Sequence, residues 1–434
     1  MNRGWVGLAA LACASPAAAD TLGEALAKAY RGNPTIAAGR AQLDAVREGV
    51  PIARAAGLPT IGTNAGYSRN VLRGGNSLTN PEQQLNAFAG VTVPIYAGGA
   101  VRNSVRAAKI RAGAGAATLR DLEATTLADV VAAYTDVIRT DAIVGLNAQN
   151  VRVLETNLAA TRDRFQVGDL TRTDIAQSEA RLMLARAQLR TADAGRIAAR
   201  ETYARLVGEA PGVLAPTPPL PAIPATADAA VAIALGDSPT LLAARQERQA
   251  AGYDVRVARA ERLPRLGVTL GQNYNNFLGS LGAGQGFSTR QSGTSTVAGV
   301  SLQLPLFQGG RVGAGIRQAR ALSRRADEEA IATERLVIAQ TRSAHAQWEA
   351  AEDVIRSAEA AVAAQRLALE GVRAENGAGT RTVLDTLNAE QELLNSEVTL
   401  VTAQRDRYVA GFVLLTAMGR ADAEDLGLAP AAER

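Results

Sequence analysis

The residues with the clearest chemical content sit at two helix starts. Gly379-Thr380-Arg381-Thr382-Val383-Leu384-Asp385 follows a break at Gly377-Ala378-Gly379 and sets a guanidinium and a carboxylate four residues apart, with Asn388 three residues further on. A second break, at Gly168, is followed six residues later by Asp174. Taken singly, such charges are solvated groups near helix starts, where acids are favoured by the helix dipole.

Bond-making chemistry has no comparable support. The chain has one histidine, His345, placed mid-helix near Trp348, and one cysteine, Cys13. It holds no HExxH, no phosphate-binding loop and no nucleophile elbow. Glu328-Glu329 reads as a solvated helix face, so neither a catalytic set nor a metal site nor a cofactor is expected.

The elements that would position the charged tips come in duplicate. Thr21 to Asn70 aligns with Thr226 to Asn275 at an offset of about 205 residues. Asn33-Pro34-Thr35 returns as Ser238-Pro239-Thr240, and Leu58-Pro59 returns as Leu263-Pro264. Val93-Pro94-Ile95-Tyr96-Ala97-Gly98-Gly99 matches Leu304-Pro305-Leu306-Phe307-Gln308-Gly309-Gly310, with the offset grown to about 211. A period near 200 residues is too long for a solenoid, so each half is one copy of a larger unit.

Each copy contains two segments with a period of two, near residues 59–72 and 85–96, then 264–277 and 294–307. One face is apolar, with Ile61, Val91, Val268 and Val300, and the other is polar or tiny, with Gly62, Thr92, Thr269 and Gly299. Their lengths suit tilted strands crossing a bilayer, and Tyr67, Phe88, Tyr96, Tyr274, Phe277, Phe287 and Phe307 concentrate there as interfacial aromatics would. Gly/Asn/Ser-rich stretches, 73–81 and 279–293, read as exposed loops. A soluble hairpin packed on a core would also alternate.

The remainder is helical. Gly98 to Phe165 and Gly309 to Arg373 lack proline and are rich in Ala, Arg, Glu, Gln and Leu, which predicts helices roughly 100 Å long with narrow apolar seams. Returning helices at 171–208 and 382–419 make two helical hairpins. The expected organisation is a first repeat at 20–210, a Pro-rich linker at 211–225, a second repeat at 226–420 and a tail at 421–434.

The N-terminus carries Arg3, an apolar run from Trp5 to Ala12, and Ala17-Ala18-Ala19 before Asp20, the order of regions of a signal peptide over 1–19. Lipidation of Cys13 is the alternative, although Ala10 stands where a leucine is usual. Basic and acidic residues number 46 and 42, a formal net charge of +4 that suggests no polyanionic or nucleic-acid partner. Nothing later approaches a membrane-spanning helix.

Four amphipathic strands cannot close a barrel, and an open sheet in lipid would leave edge N–H and C=O groups unpaired. Strands that enter a membrane here therefore require copies of the same chain.

The repeat, the two strand-ending motifs and above all Gly379-Thr380-Arg381-Thr382-Val383-Leu384-Asp385 resemble the TolC family of outer-membrane efflux and type I secretion channels. The resemblance spans the exported chain. It implies a mainly α protomer with a membrane β part: a duplicated helix-strand-strand-helix chain, trimerising into a twelve-stranded β-barrel continued by a long α-helical barrel. It implies location in the outer membrane with a large periplasmic part, and function as the exit duct of a tripartite efflux or type I secretion system. The implied partners are two further copies of the chain, a periplasmic adaptor, an inner-membrane pump or ABC transporter, and outer-membrane lipid.

By the same carry-over, Asp385 falls on an aperture-lining acidic position, and Asn388 replaces the second acid. Arg381 and Asp174 match a linking pair that holds the closed gate, while Gly168, Gly377 and Gly379 mark the hairpin tips. Asn376 stands where some members have an aromatic joined to this link. A periplasmic or secreted coiled-coil scaffold or adaptor, without a channel, is the competing class.

Overall fold

A computed structural model describes residues 20–72, 77–284, 286, 288–423 and 426–428. The expected leader, Cys13, Phe287, and parts of both strand-to-strand loops and of the C-terminal tail lie outside the described residues.

The first copy runs α1 (Leu22–Gly32), α2 (Pro34–Ala55), β1 (Thr60–Arg69), β2 (Gln83–Ala97), α3 (Ala100–Gln166) and α4 (Arg172–Val207). The second runs α5 (Ala227–Asp237), α6 (Pro239–Ala260), β3 (Arg265–Asn276), β4 (Ser292–Gln303), α7 (Arg311–Gly377) and α8 (Val383–Ala417). Equivalent elements start 205 residues apart up to β3 and 211 apart from α7 onward. The long helices α3 and α7 have 67 residues each. Proline sets the break between the short helices. The ring of Pro34 or Pro239 drives the preceding Asn33 or Ser238 out of the helical region, to ψ 123° and 118°, and then serves as the first residue of the next helix.

The four strands form one antiparallel sheet in the order β1-β2-β3-β4. The register lines up whole rows on alternate faces. Ile61, Val91, Leu270 and Ala298 make one row and Val93, Val268 and Val300 another, whereas Thr60, Thr92, Thr269 and Gly299 make a row on the opposite face. On that second face the Phe88 ring lies flat over Gly90 and Gly271, where any Cβ would fall within 2.5 Å of its ring carbons. Glycine is what leaves room for the aromatic.

Strand ends depart from the expected ranges. β1 stops at Arg69, and β4 stops at Gln303 rather than at residue 307, although β2, with the same motif, continues through Pro94 to Ala97. β2 keeps β3 as a neighbour and absorbs Pro94 in a bulge, whereas β4 is an edge strand whose last partner is Arg265.

The chain divides into two compact units, each drawn from both copies. Of the described residues, one comprises those within 20–39, 119–239 and 335–428, and the other those within 40–118 and 240–334. The first is built around Leu22, Leu26, Leu127, Val130, Val131, Tyr134, Val137, Tyr203, Phe412, Leu414 and Met418. Each of its large aliphatic side chains contributes about 1.5–3 kcal/mol on burial. Within the described part of the tail, Ala421 and Ala423 are buried in this core.

The Pro-rich linker packs against the core of this unit. Leu214 pairs with Asp20 in a parallel bridge, and Leu220 and Ile223 pack on the core, Leu220 seated against Gly411 where a Cβ would not fit. Two buried side chains reach its backbone. The Tyr134 hydroxyl lies 2.6 Å from the Ala215 carbonyl and 2.9 Å from that of Asp20, and the His345 ring nitrogen lies 3.1 Å from the Pro224 carbonyl. These two positions are equivalent in the repeat. Burial pushes the Tyr134 hydroxyl up to about 12, so it remains a donor throughout the physiological range. Tyr134→Phe is expected to cost about 1–2 kcal/mol, seen as a lowered thermal midpoint, because buried carbonyls lose their donor.

Candidate channel gate at the hairpin tips

Both hairpin tips turn by the same backbone device. Gly168 and Gly379 adopt positive φ, 86° and 79°. Asp169 N–H donates to the Arg164 carbonyl and Thr380 N–H to that of Glu375, at 2.9 and 3.0 Å, while the glycine N–H groups reach Phe165 and Asn376. Gly377 is different. It is the last residue of α7, lacks positive φ, and has open space around a Cβ, so the tip needs Gly379 but not Gly377. Gly379→Ala is expected to cost about 1–2 kcal/mol for its left-handed backbone, and Gly377→Ala to leave the midpoint of thermal unfolding unchanged or slightly raised.

After each turn a capping box starts the returning helix. Thr171 N–H and hydroxyl donate to Asp174 at 2.8 and 2.7 Å, and Thr382 does the same to Asp385 at 3.0 and 2.7 Å. Asp174 and Asp385 therefore occupy the same position in the two copies. The threonine hydroxyl and N–H hold each carboxyl below its ordinary range, with a smaller contribution from Arg164 or Arg381. Because the folded values are depressed, the stabilisation is complete above the unfolded carboxylate range and is lost as pH falls through the folded values.

The chain does not itself pair Asp174 with Arg381. Arg381 Nε donates to Glu375 at 2.8 Å, and its backbone carbonyl accepts from Asn376 at 2.9 Å. Asn388 accepts from Arg181 of α4 at 2.6 Å, so it ties the second hairpin to the first. A cleft of about 90 Å³ between the tips is bounded by Asn157, Arg164 and Leu170 on one side and Asn376, Val383 and Leu387 on the other.

A tie absent from the expectations lies just behind it. The buried Glu390 carboxylate accepts from Asn157 Nδ2 of α3, 2.9 Å to each oxygen, and from Arg373 of α7 at 3.0 Å. Below it, Leu387 of α8 inserts among Val151, Leu154, Leu158, Leu182 and Ala185 of the first hairpin. The repeat offset carries the signal for part of this arrangement. Arg162–Glu179 in the first hairpin is the counterpart of Arg373–Glu390 in the second. One rung further along, Glu155 pairs with Arg186 and Arg366 pairs with Glu397, the same two positions with their charges exchanged. Asn157 has no polar counterpart, since Ala368 stands there.

The outer membrane efflux protein family matches residues 25–209 and 230–420 of this chain. The chain belongs to that family. It is 34% identical to outer membrane efflux protein BepC of Brucella suis biovar 1 over 95% of this chain and 88% of that one. It is 26% identical to outer membrane protein TolC of Escherichia coli over 97% and 86%. The crystal structure of VceC from Vibrio cholerae superposes with a TM-score of 0.76 at 21% identity, covering 92% of this chain and 96% of the other, which shows a common fold.

The expected fold class is therefore the one found, the duplicated protomer of a trimeric β-barrel and α-helical barrel. This TolC-family channel is an outer-membrane protein with a periplasmic helical part, serving efflux or secretion. The scaffold alternative has no support from any of these relatives.

Proposed function

We propose that three copies of the chain form an exit duct that receives substrate from an inner-membrane pump through a periplasmic adaptor, and that the hairpin tips are its gate. The observation carrying this reading is the attachment of α8 to the first hairpin by Asn157–Glu390 and Arg181–Asn388, with Arg381 exposed and Asp385 partly exposed beyond it. The second hairpin is the moving half. In the closed trimer Arg381 exchanges Glu375 for Asp174 of a neighbouring protomer, linking adjacent hairpins, and Asp385 contributes one carboxylate per chain to the aperture.

Planar-bilayer recording tests the gate. Arg381→Ala is expected to raise the frequency of open events, and an unaltered trace would count against the link. Asp385→Asn is expected to weaken cation preference, read as a shift of reversal potential toward zero in a salt gradient. Cross-linking in intact cells followed by identification of the captured chains tests the adaptor and pump. Recovery of the channel alone would count against the tripartite assembly.

A further inference from the structure

We propose that the groove between α6 and α7 next to the sheet binds the phosphodiester headgroup of an anionic phospholipid in the leaflet facing the periplasm. The groove measures about 600 Å³ and is lined by Arg256 and Arg259 from α6 and by Arg317, Arg320, Ser323 and Arg324 from α7. No carboxylate lines it. Among the described residues none of these five arginines makes an ion pair, although neighbours on the same helices do: Arg248 with Asp327, Arg311 with Glu261 and Arg325 with Glu329.

The positive charge is local to this end of the helices. A second groove between α6 and α7, further from the sheet, is lined by Glu247 and Glu329 together with small residues, with no basic group. From residue 309 to 326 the chain has five arginines and no acid, and the equivalent stretch of the first copy, 98 to 115, has three arginines, one lysine and no acid. Both copies thus concentrate cations where a long helix leaves the sheet, but in the first copy Arg111 is paired with Glu247 and Asp254, whereas Arg317, Arg320 and Arg324 of the second make no ion pair among the described residues.

The position selects the occupant. Ala97, Arg265 and Gln303 are in register at the end of the sheet that leads to the helices. Arg317 lies six residues into α7, about 9 Å along it, and Arg320 about 14 Å. With the strands in the outer membrane and the helices in the periplasm, this is the depth of the inner leaflet's phosphates. Guanidinium groups bind phosphate oxygens in bidentate fashion, and several together outbid solvent where one does not. Arg256 is held in place by its stacking over the Tyr253 ring, 4.7 Å from the centroid, which lowers the entropy lost on binding. The volume exceeds what an isolated phosphate would fill and suits a headgroup with its glycerol.

Native mass spectrometry of the detergent-solubilised channel, titrated with phosphatidylglycerol, tests this directly. Each arginine near the surface is worth about fivefold in affinity for an anionic lipid. The variant Arg256→Gln/Arg317→Gln/Arg320→Gln should therefore bind phosphatidylglycerol about a hundredfold more weakly than the unaltered channel. Phosphatidylcholine retention should be insensitive to the substitutions, and Arg325→Gln, whose partner is Glu329, should behave as unaltered protein. Undiminished phosphatidylglycerol binding by the triple variant would overturn the proposal. So would displacement of the lipid by millimolar inorganic phosphate, which would make the groove a free-anion site. Dissociation of the triple variant's oligomer would overturn it too, by placing these arginines in a subunit contact.

Discussion

Leu270→Arg is expected to block assembly into the outer membrane, whereas Thr269→Arg, one residue earlier in the same strand, should assemble and alter ion selectivity. Leu270 lies midway along β3, and its row runs Ile61, Val91, Leu270, Ala298 across all four strands. Its side chain is half exposed in the single chain, as a lipid-facing residue must be. An arginine at the bilayer midplane on this face costs about 2–4 kcal/mol, and a trimer would incur it three times. Thr269 belongs to the row of Thr60, Thr92 and Gly299, on the face where, apart from Phe88, small and polar residues prevail and which is expected to line the lumen. The measurement is the fraction of chain recovered as a heat-modifiable oligomer in outer-membrane fractions. Better recovery of Leu270→Arg than of Thr269→Arg would mean that the faces are the other way round, and equal recovery would count against a lipid-facing and a lumen-facing side.

Glu390→Ala is expected to release α8 from the first hairpin. The carboxylate is the shared acceptor of Asn157 and Arg373, and its side chain is only 4% exposed. The Arg373 side chain is 51% exposed and regains water when abandoned, and its pair with Glu390 lies within the second hairpin. The attachment therefore loses the Asn157 hydrogen bonds to the carboxylate, about 1.5–3 kcal/mol or roughly ten- to a hundredfold in the balance between attached and detached α8. Channel recordings should show a raised open probability at unchanged single-channel selectivity. Asn157→Ala should give part of the effect, and the two substitutions together should fall short of the sum by about 1 kcal/mol or more, since they remove one interaction. Full additivity would show that the two residues do not act together.

The architecture could be read from the chain because duplication and period are properties of residue order. Proline at 34 and 239, glycine at 168 and 379, and the alternation around residues 268 and 300 each fix a local conformation without help from neighbours. Where neighbours decide, the reading fell short. Pro94 and Pro305 stand in the same motif, yet only the strand with two neighbours in the protomer continues through its proline. At the tips, the resemblance gives Asp174 and Asp385 different roles, a link and an aperture, and says nothing of the capping boxes in which the repeat makes them equivalent. Their side chains are engaged locally, so any further role comes from the assembly. Glu390 carried no signal of burial, because charge alone does not reveal that Asn157 of a distant helix covers it. His345 behaves as a packed residue, with the linker carbonyl as its partner.

The exchanged charges of the second rung bear on how a duplicated chain avoids folding with the wrong half. The hairpins differ by one residue in length and share their turn chemistry, so α3 could in principle zip against α8, or α7 against α4, with the same rungs aligned. The rung formed by Arg162–Glu179 and Arg373–Glu390 would tolerate that error. At the other rung, a strayed α3 would set Glu155 against Glu397, and a strayed α7 would set Arg366 against Arg186. Correct partners attract and exchanged partners repel, so a single reversal of sign acts as a proofreading mark that tells two near-identical hairpins apart while the nascent chain sorts its helices.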